Sequence, residues 1–182
     1  MTANRNRVRI IGGKWRSRLL RFPPAAQLRP TPDRVRETLF NWLGQRLDGL
    51  ACVDLFAGSG ALGFEALSRG ASRAVMVESD RAVAQALREN AKALEAAGLQ
   101  VVQRDALAFL EEPGEKFDVA FVDAPFATDL ARRAMERLPA RLKAGGRVYV
   151  ESAQPLEVGA PWTALREDRA GAVRYALFEL TP

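Results

Sequence analysis

From residue 50 onward the chain alternates between short apolar runs and helix-period segments closed by glycine, and nothing else in it constrains the fold so strongly. Residues 50–56 read as a buried strand, 61–69 as a helix stopped by Gly70, and 74–78 as a second strand. A long helix over 81–97, ended by Gly98, leads to a third strand at 99–103. A short helix at 106–110, a strand at 117–123, a helix at 128–142 and a strand at 147–151 follow. Residues 162–168 and 173–180 close the chain as a hairpin turning near Gly171. Apolar strands separated by helices pack as a mostly parallel sheet covered on both faces, with ligands bound at the strands' carboxyl ends. The expected class is α/β and Rossmann-like, with an antiparallel last strand.

The first part of the chain reads differently. Residues 7–11 and 15–22 flank Gly12-Gly13 as a hairpin, glycine supplying the positive φ that tight turns need. A proline- and arginine-rich link runs to Pro30. Thr31-Pro32-Asp33 has the form of a helix start, with threonine as N-cap and proline at the first helical position. Val35, Leu39, Trp42, Leu43 and Leu47 give that helix one apolar face. Residues 1–36 carry ten basic side chains against one acid, a balance of +9, whereas the other 146 residues sum to −4. A basic segment on a mildly acidic body is the footprint of a polyanion-binding extension. The alternation of Val8 and Ile10, with Trp15, indicates a structured ribbon rather than a solvated tail. The expected organisation is a basic hairpin and linker over 1–30 and a main domain over 31–182.

Two counts restrict the chemistry. There is no histidine, which removes the usual general base, the commonest metal ligand and every Ser-His type triad. A single cysteine, Cys52, excludes a disulfide framework and a multi-cysteine metal site, and it reads as a small core residue. No metal is expected. The apolar stretches are too short to span a membrane and no signal segment follows the start, so a cytoplasmic, monomeric protein is the expectation.

Asp54-Leu55-Phe56-Ala57-Gly58-Ser59-Gly60 occupies the end of the first strand of the alternating region. Gly58 to Gly63 also matches G-x-G-x-x-G, the pattern of dinucleotide sites, because any cofactor cradled where strand becomes helix needs glycines there. Asp54 separates the two readings. A carboxylate four residues before the first glycine would repel a pyrophosphate, whereas it suits S-adenosylmethionine (AdoMet), which carries an ammonium and a sulfonium. Phe56, Ala57, Gly58 and Gly60 would form the cradle. Glu78, 24 residues after Asp54 with Ser79 beside it, is placed to accept the ribose hydroxyls. Asp105 is placed for the adenine amino group, with Ala106 and Leu107 near the ring. Each acid also fits a purely structural role, capping the helix that follows, and Asp80 reads as such a cap.

Asp123-Ala124-Pro125-Phe126 ends a later apolar strand, 69 residues after Asp54. An exocyclic base amine is a weak nucleophile because its lone pair is delocalised into the ring. The Asp123 side chain and the Ala124 carbonyl can both accept hydrogens of one NH2, Pro125 restricts the backbone, and Phe126 offers a stacking face. Alone, such a segment is an ordinary turn. Paired with the donor motif, it describes an amino-methyltransferase acting mainly by positioning.

These residues resemble the RsmD family of bacterial 16S rRNA (guanine-N2)-methyltransferases. The likeness includes Arg9-Ile10-Ile11-Gly12-Gly13-Lys14-Trp15-Arg16, the stretch from Leu28 to Leu43, the donor motif and Glu65-Ala66-Leu67-Ser68-Arg69-Gly70. The resemblance implies a class I AdoMet-dependent fold, N2-methylguanosine as product, and 16S rRNA in assembling or assembled 30S subunits as partner. It implies that Thr31 and Arg36 border the cofactor and Asn41 the target base. Arg7, Arg9, Lys14, Arg16 and Arg18 would contact RNA phosphates, with Trp15 stacking on RNA or packing on the body. The family pattern is Asp-Pro-Pro-Phe; here Ala124 replaces the first proline, which keeps the carbonyl at 124 and loosens the restriction on Asp123. Two alternatives stay open: an RNA-binding assembly factor with weak turnover, and an amino-methyltransferase of DNA or other RNA.

Overall fold

The computed structural model describes residues 6–24 and 28–181; Arg5 of the basic segment lies outside the described residues. Strands β1 (Arg7–Arg9) and β2 (Leu19–Arg21) pair antiparallel, and α1 (Asp33–Trp42) follows the linker. The main body runs β3 (Ala51–Asp54), α2 (Ala61–Ser68), β4 (Arg73–Glu78), α3 (Arg81–Ala93), β5 (Leu99–Gln103) and α4 (Ala106–Glu111). It continues with β6 (Phe117–Val122), α5 (Leu130–Arg137), a 3₁₀ turn (Leu138–Arg141), β7 (Leu142–Ser152), β8 (Trp162–Ala170) and β9 (Val173–Leu180).

The seven-stranded sheet has the order β5-β4-β3-β6-β7-β9-β8. Strands β3 to β7 are parallel, and β9 is antiparallel to both its neighbours, as expected. The strand order reverses direction at β3. Its neighbours β4 and β6 carry the chain to opposite sides, and this opens a crevice at the carboxyl ends of β3 and β6.

Several boundaries move for identifiable reasons. The helix expected over 128–142 stops at Arg137, because Pro139 enters the following turn and cannot donate to a continued α-ladder. Strand β7 begins at Leu142, five residues early, and its register on β6 shifts between Phe117 and Val119, near Gly145 and Gly146. Helix α1 begins at Asp33 with Pro32 as its N-cap and no side-chain cap. The Thr31 hydroxyl, expected to cap α1, points elsewhere.

One apolar cluster joins the hairpin, α1, α2 and one sheet face; Val8, Ile10, Trp15, Leu20 and Phe22 belong to it. The other sheet face packs under α4 and α5. Cys52 is fully buried in the first cluster, and burial pushes its thiol up to about 12. Gly12-Gly13 does not form a two-residue hairpin turn. A Cβ on Gly13 would lie 1.8 Å from the Ser68 carbonyl oxygen, so glycine is needed for the hairpin tip to rest on the end of α2. There the Lys14 N–H donates to Ser68 O at 2.7 Å and the Trp15 N–H to Ser68 Oγ at 2.9 Å. Asn90 of α3 fastens β2, its side chain exchanging two hydrogen bonds with the Arg21 backbone.

Candidate functional site

Every parallel strand that flanks the crevice ends in, or just before, an acid: Asp54 on β3, Glu78 on β4, Asp123 after β6 and Glu151 on β7. Among the described residues none of the four makes an ion pair with a basic side chain. A concentration of unneutralised carboxylates is costly unless a cationic ligand or strong donors complete it. The site therefore fits the positively charged methionine end of AdoMet.

The glycine loop after β3 is built by its own backbone. Gly58 and Gly60 have φ of +50° and +79°, a conformation that side chains resist. A Cβ on Gly58 would come 2.9 Å from Leu28, which places the linker against this loop. A Cβ on Gly63 would come 2.5 Å from Met76, so the third glycine lets α2 approach β4. Asp54 is almost wholly buried and accepts from the Gly63 N–H at 3.1 Å. Desolvation, helped by the charges of Glu78 and Glu151 and opposed by the Gly63 and Phe56 amides, pushes its carboxyl up to about 7. Glu78 accepts from the Gly58 N–H at 3.0 Å and the Asp80 N–H at 2.9 Å, joining the loop to the next strand end. Both acids keep lone pairs for a ligand.

Around them, Phe56 is half-buried, Ala57 buried and Ser79 exposed. Asp80 caps α3 through the Ala82 and Val83 amides, as expected. Asp105 caps α4, its Oδ1 accepting from the Ala108 N–H at 2.9 Å, with Oδ2 left for another donor; Ala106 and Leu107 are buried behind it.

Beside this loop, Ala124 is buried and Phe126 is 45% exposed, one of two large apolar side chains exposed among the described residues. Pro125 closes a turn by accepting from the Thr128 N–H and hydroxyl at 3.2 and 2.6 Å. Among the described residues no donor reaches the Ala124 carbonyl. Asp123 is half-buried; desolvation, then the charges of Glu151 and Asp54, raise its pKa well above the usual carboxylate range.

Thr31 of the linker and Arg36 of α1 lie elsewhere than the sequence suggests. The Thr31 hydroxyl lies 2.8 Å from Glu151 Oε1 and 3.4 Å from Asp123 Oδ2, so it faces these two acids. Arg36 is fully buried and cannot border a ligand in this arrangement. It donates to the carbonyls of Thr31 (3.1 Å) and Arg9 (2.8 Å) and pairs with Asp33 (2.6 Å) and Glu65 (3.4 Å). Burial lowers its pKa, with Glu65 and Asp33 opposing that shift.

Trp15, 7% exposed, packs into the core, and its indole is not a stacking platform for RNA. Asn41 is exposed, but in a cleft with Trp42, Arg147, Leu165, Arg166 and Leu177, apart from the strand-end acids, because α1 carries it past the sheet toward β8. Arg7, Arg9, Lys14, Arg16 and Arg18 are exposed on the hairpin; Arg9 pairs with Asp33 at 2.9 Å. A separate cleft of about 440 Å³ between β7, β8, β9 and residues 155–159 contains none of the expected site residues.

Glu151 and Tyr149 escaped the sequence reading. Tyr149 donates to Glu151 Oε1 at 2.9 Å, and both side chains are buried. The signal for Glu151 was the one that identified Asp54 and Asp123, an acid at the carboxyl end of a parallel strand.

Known proteins share this sequence and fold. The family model described as Conserved hypothetical protein 95 matches residues 8–179. Ribosomal RNA small subunit methyltransferase D of Escherichia coli strain K12 is 45% identical over 179 residues, covering 94% of this chain and 89% of that protein. The Haemophilus influenzae protein of the same name is 43% identical over 180 residues, covering 94% and 93%. A solved Escherichia coli structure, 45% identical, superposes with a TM-score of 0.87 over 96% of this chain and 98% of that one.

Proposed function

This chain belongs to the RsmD family of small-subunit rRNA methyltransferases, and on that footing we propose that it methylates the exocyclic N2 amine of a guanine in 16S rRNA. It is an AdoMet-dependent methyltransferase. The observation that carries the assignment to an amine is the meeting of the Asp54 loop and the Asp123-Ala124-Pro125-Phe126 segment on adjacent strands β3 and β6.

AdoMet supplies an activated methyl group on a sulfonium. Asp54, Gly58, Gly60 and Glu78 hold it, and Asp105 with Ala106 and Leu107 takes its adenine end. The guanine N2 hydrogens are accepted by Asp123 and by the Ala124 carbonyl, while Phe126 stacks on the base. Holding both hydrogens turns the nitrogen lone pair out of conjugation and toward the methyl carbon. The exposed side chains of Arg7, Arg9, Lys14, Arg16 and Arg18 on the hairpin engage phosphates, an interaction that weakens with salt. The acceptor is the small subunit or its assembling precursor, in the cytoplasm, and the enzyme works as a monomer. Among the described residues no helix is long and apolar enough to cross a membrane.

The test is transfer of labelled methyl from AdoMet to small subunits that lack the modification, followed by nucleoside digestion. N2-methylguanosine formed only with the protein is the expected result. Label in another nucleoside, or none with AdoMet bound, would reject the acceptor assignment.

A further inference from the structure

The buried Glu151 carboxyl, the half-buried Asp123 carboxyl and one hydroxyl form a chain at the end of β6 and β7. Thr31 Oγ1 is 2.8 Å from Glu151 Oε1, where Tyr149 also donates at 2.9 Å, and 3.4 Å from Asp123 Oδ2. A threonine hydroxyl has one proton, and the shorter contact places it on Glu151. The contact with Asp123 is then a hydrogen bond only if Asp123 provides the proton. The groups around the pair are Asp54 on β3, Tyr149 on β7, and Tyr175 on β9 directly across from Glu151. Among the described residues no cation pairs with either carboxyl; Arg36 donates to the Thr31 carbonyl, not to its hydroxyl. Two carboxyls linked in this way hold one proton between them more readily than none. Burial raises the pKa of both, and the charge of Glu151 raises that of Asp123 further.

We infer that Glu151, acting through the Thr31 hydroxyl, is a positioning residue that sets the protonation state of Asp123. In the free protein Asp123 carries the shared proton and Glu151 the charge. With amine and donor in place, the Asp123 proton passes to Thr31 Oγ1 while the Thr31 proton passes to Glu151 Oε1. Asp123 is then an anion facing the amine. The nitrogen lone pair forms the N–C bond, and the C–S bond breaks with its electrons left on sulfur. The cationic nitrogen then gives a proton to Asp123 and keeps the N–H electron pair. Nothing is oxidised or reduced, and the proton leaves to solvent from half-buried Asp123. This inference rests on the amino-methyltransferase reading above.

Three variants test it. Glu151→Gln keeps an acceptor for Thr31 and Tyr149 but removes the charge. Thr31→Val removes the hydroxyl at nearly constant shape, and Thr31→Ser restores it. The first measurement is carbon-13 NMR titration of the Asp123 carboxyl in full-length protein without donor or RNA, assigned with Asp123→Asn. In Glu151→Gln the Asp123 midpoint should fall by on the order of one pH unit, because a like charge is gone. The acid limb of single-turnover methyl transfer should move by the same amount. Thr31→Val should lower kcat with unchanged KM for AdoMet, and Thr31→Ser should recover it. An unmoved Asp123 midpoint in Glu151→Gln, or a serine variant no better than valine, overturns the inference. If Glu151→Gln does not fold, Tyr149→Phe weakens the Glu151 anion and should also lower the Asp123 midpoint; no change there overturns it equally. Since the titration needs no substrate, a shifted midpoint without N2-methylguanosine would count against the substrate reading and leave the shared proton standing.

Discussion

Glu65 and Glu151 are buried acids and Asp123, beside Glu151, is half-buried, yet the surroundings of Glu65 and of the Asp123–Glu151 pair are opposite. Glu65 accepts four donors: Oε1 takes the Gly12 N–H and Arg69 Nε, each at 2.8 Å, and Oε2 takes the Ile11 N–H at 2.8 Å and Arg36 Nη1 at 3.4 Å. Three of these bonds tie the hairpin or α1 to α2, and the fourth, from Arg69, is local to the end of α2. Among the described residues, Asp123 and Glu151 have the Thr31 and Tyr149 hydroxyls between them and no cation. A fully partnered buried charge holds elements together, whereas an incompletely partnered one awaits a ligand that brings the missing donors.

The sharpest way to break this contrast is to remove an acid from each group. Asp123→Ala should lower single-turnover methyl transfer by about 10²–10⁴-fold. Calorimetry should find AdoMet affinity nearly intact and the melting temperature no lower than wild type. Retained turnover would remove Asp123 from the reaction. Glu65→Ala should do the reverse, since it strands Arg36 and Arg69 beside unpaired amides. Urea unfolding should show a loss of about 3–5 kcal/mol, with turnover per folded molecule largely kept. A stable Glu65→Ala protein would mean the network contributes little.

A smaller effect separates binding charge from structural charge within the hairpin. Arg7→Gln with Arg16→Gln should leave stability unchanged and reduce the salt slope of RNA binding by about 0.7 per lost phosphate contact. Deleting 1–21 is a poor substitute, because Val8, Ile10, Trp15 and Leu20 belong to the core and the deletion would unseat α1 and α2. An unaltered slope in the double variant would remove these arginines from the RNA interface.

The smallest expected effect is on pH dependence. Asp54 has a folded-state pKa raised to about 7, so the folded protein holds its proton after the unfolded chain has released it. The stability it contributes is complete below about pH 4, declines as pH rises toward 7, and is level above that. Cation binding favours the anion, so AdoMet affinity should rise by about tenfold or less between pH 5.5 and 8. Asp54→Asn should flatten both dependences. An affinity that is equally pH-independent in wild type would show that Asp54 does not sense the donor's charge.

Much of this was legible in the sequence. The alternating pattern implied the mostly parallel sheet, the closing hairpin fitted an antiparallel last strand, and acids at strand ends drew the eye to Asp54, Glu78 and Asp123. Local rules failed where one residue had competing partners. Thr31 before proline has the form of an N-cap, yet its hydroxyl reaches a carboxylate 120 positions away. Arg36 looks like a ligand contact or a solvated helix face and is a buried clamp instead. Trp15, set among arginines, resembles an RNA-stacking residue, but a ring of that size stabilises more by filling the seam between hairpin and body.

What the sequence determined by itself was periodicity and the ends of strands, because strand and helix repeats, glycine turns and strand-end acids are read within a few residues. Which acid meets which donor was decided only by the tertiary structure. Partners such as Gly12 and Glu65, or Thr31 and Glu151, are chosen when packed elements bring their backbones close, and desolvation then makes an unpaired choice too costly to persist.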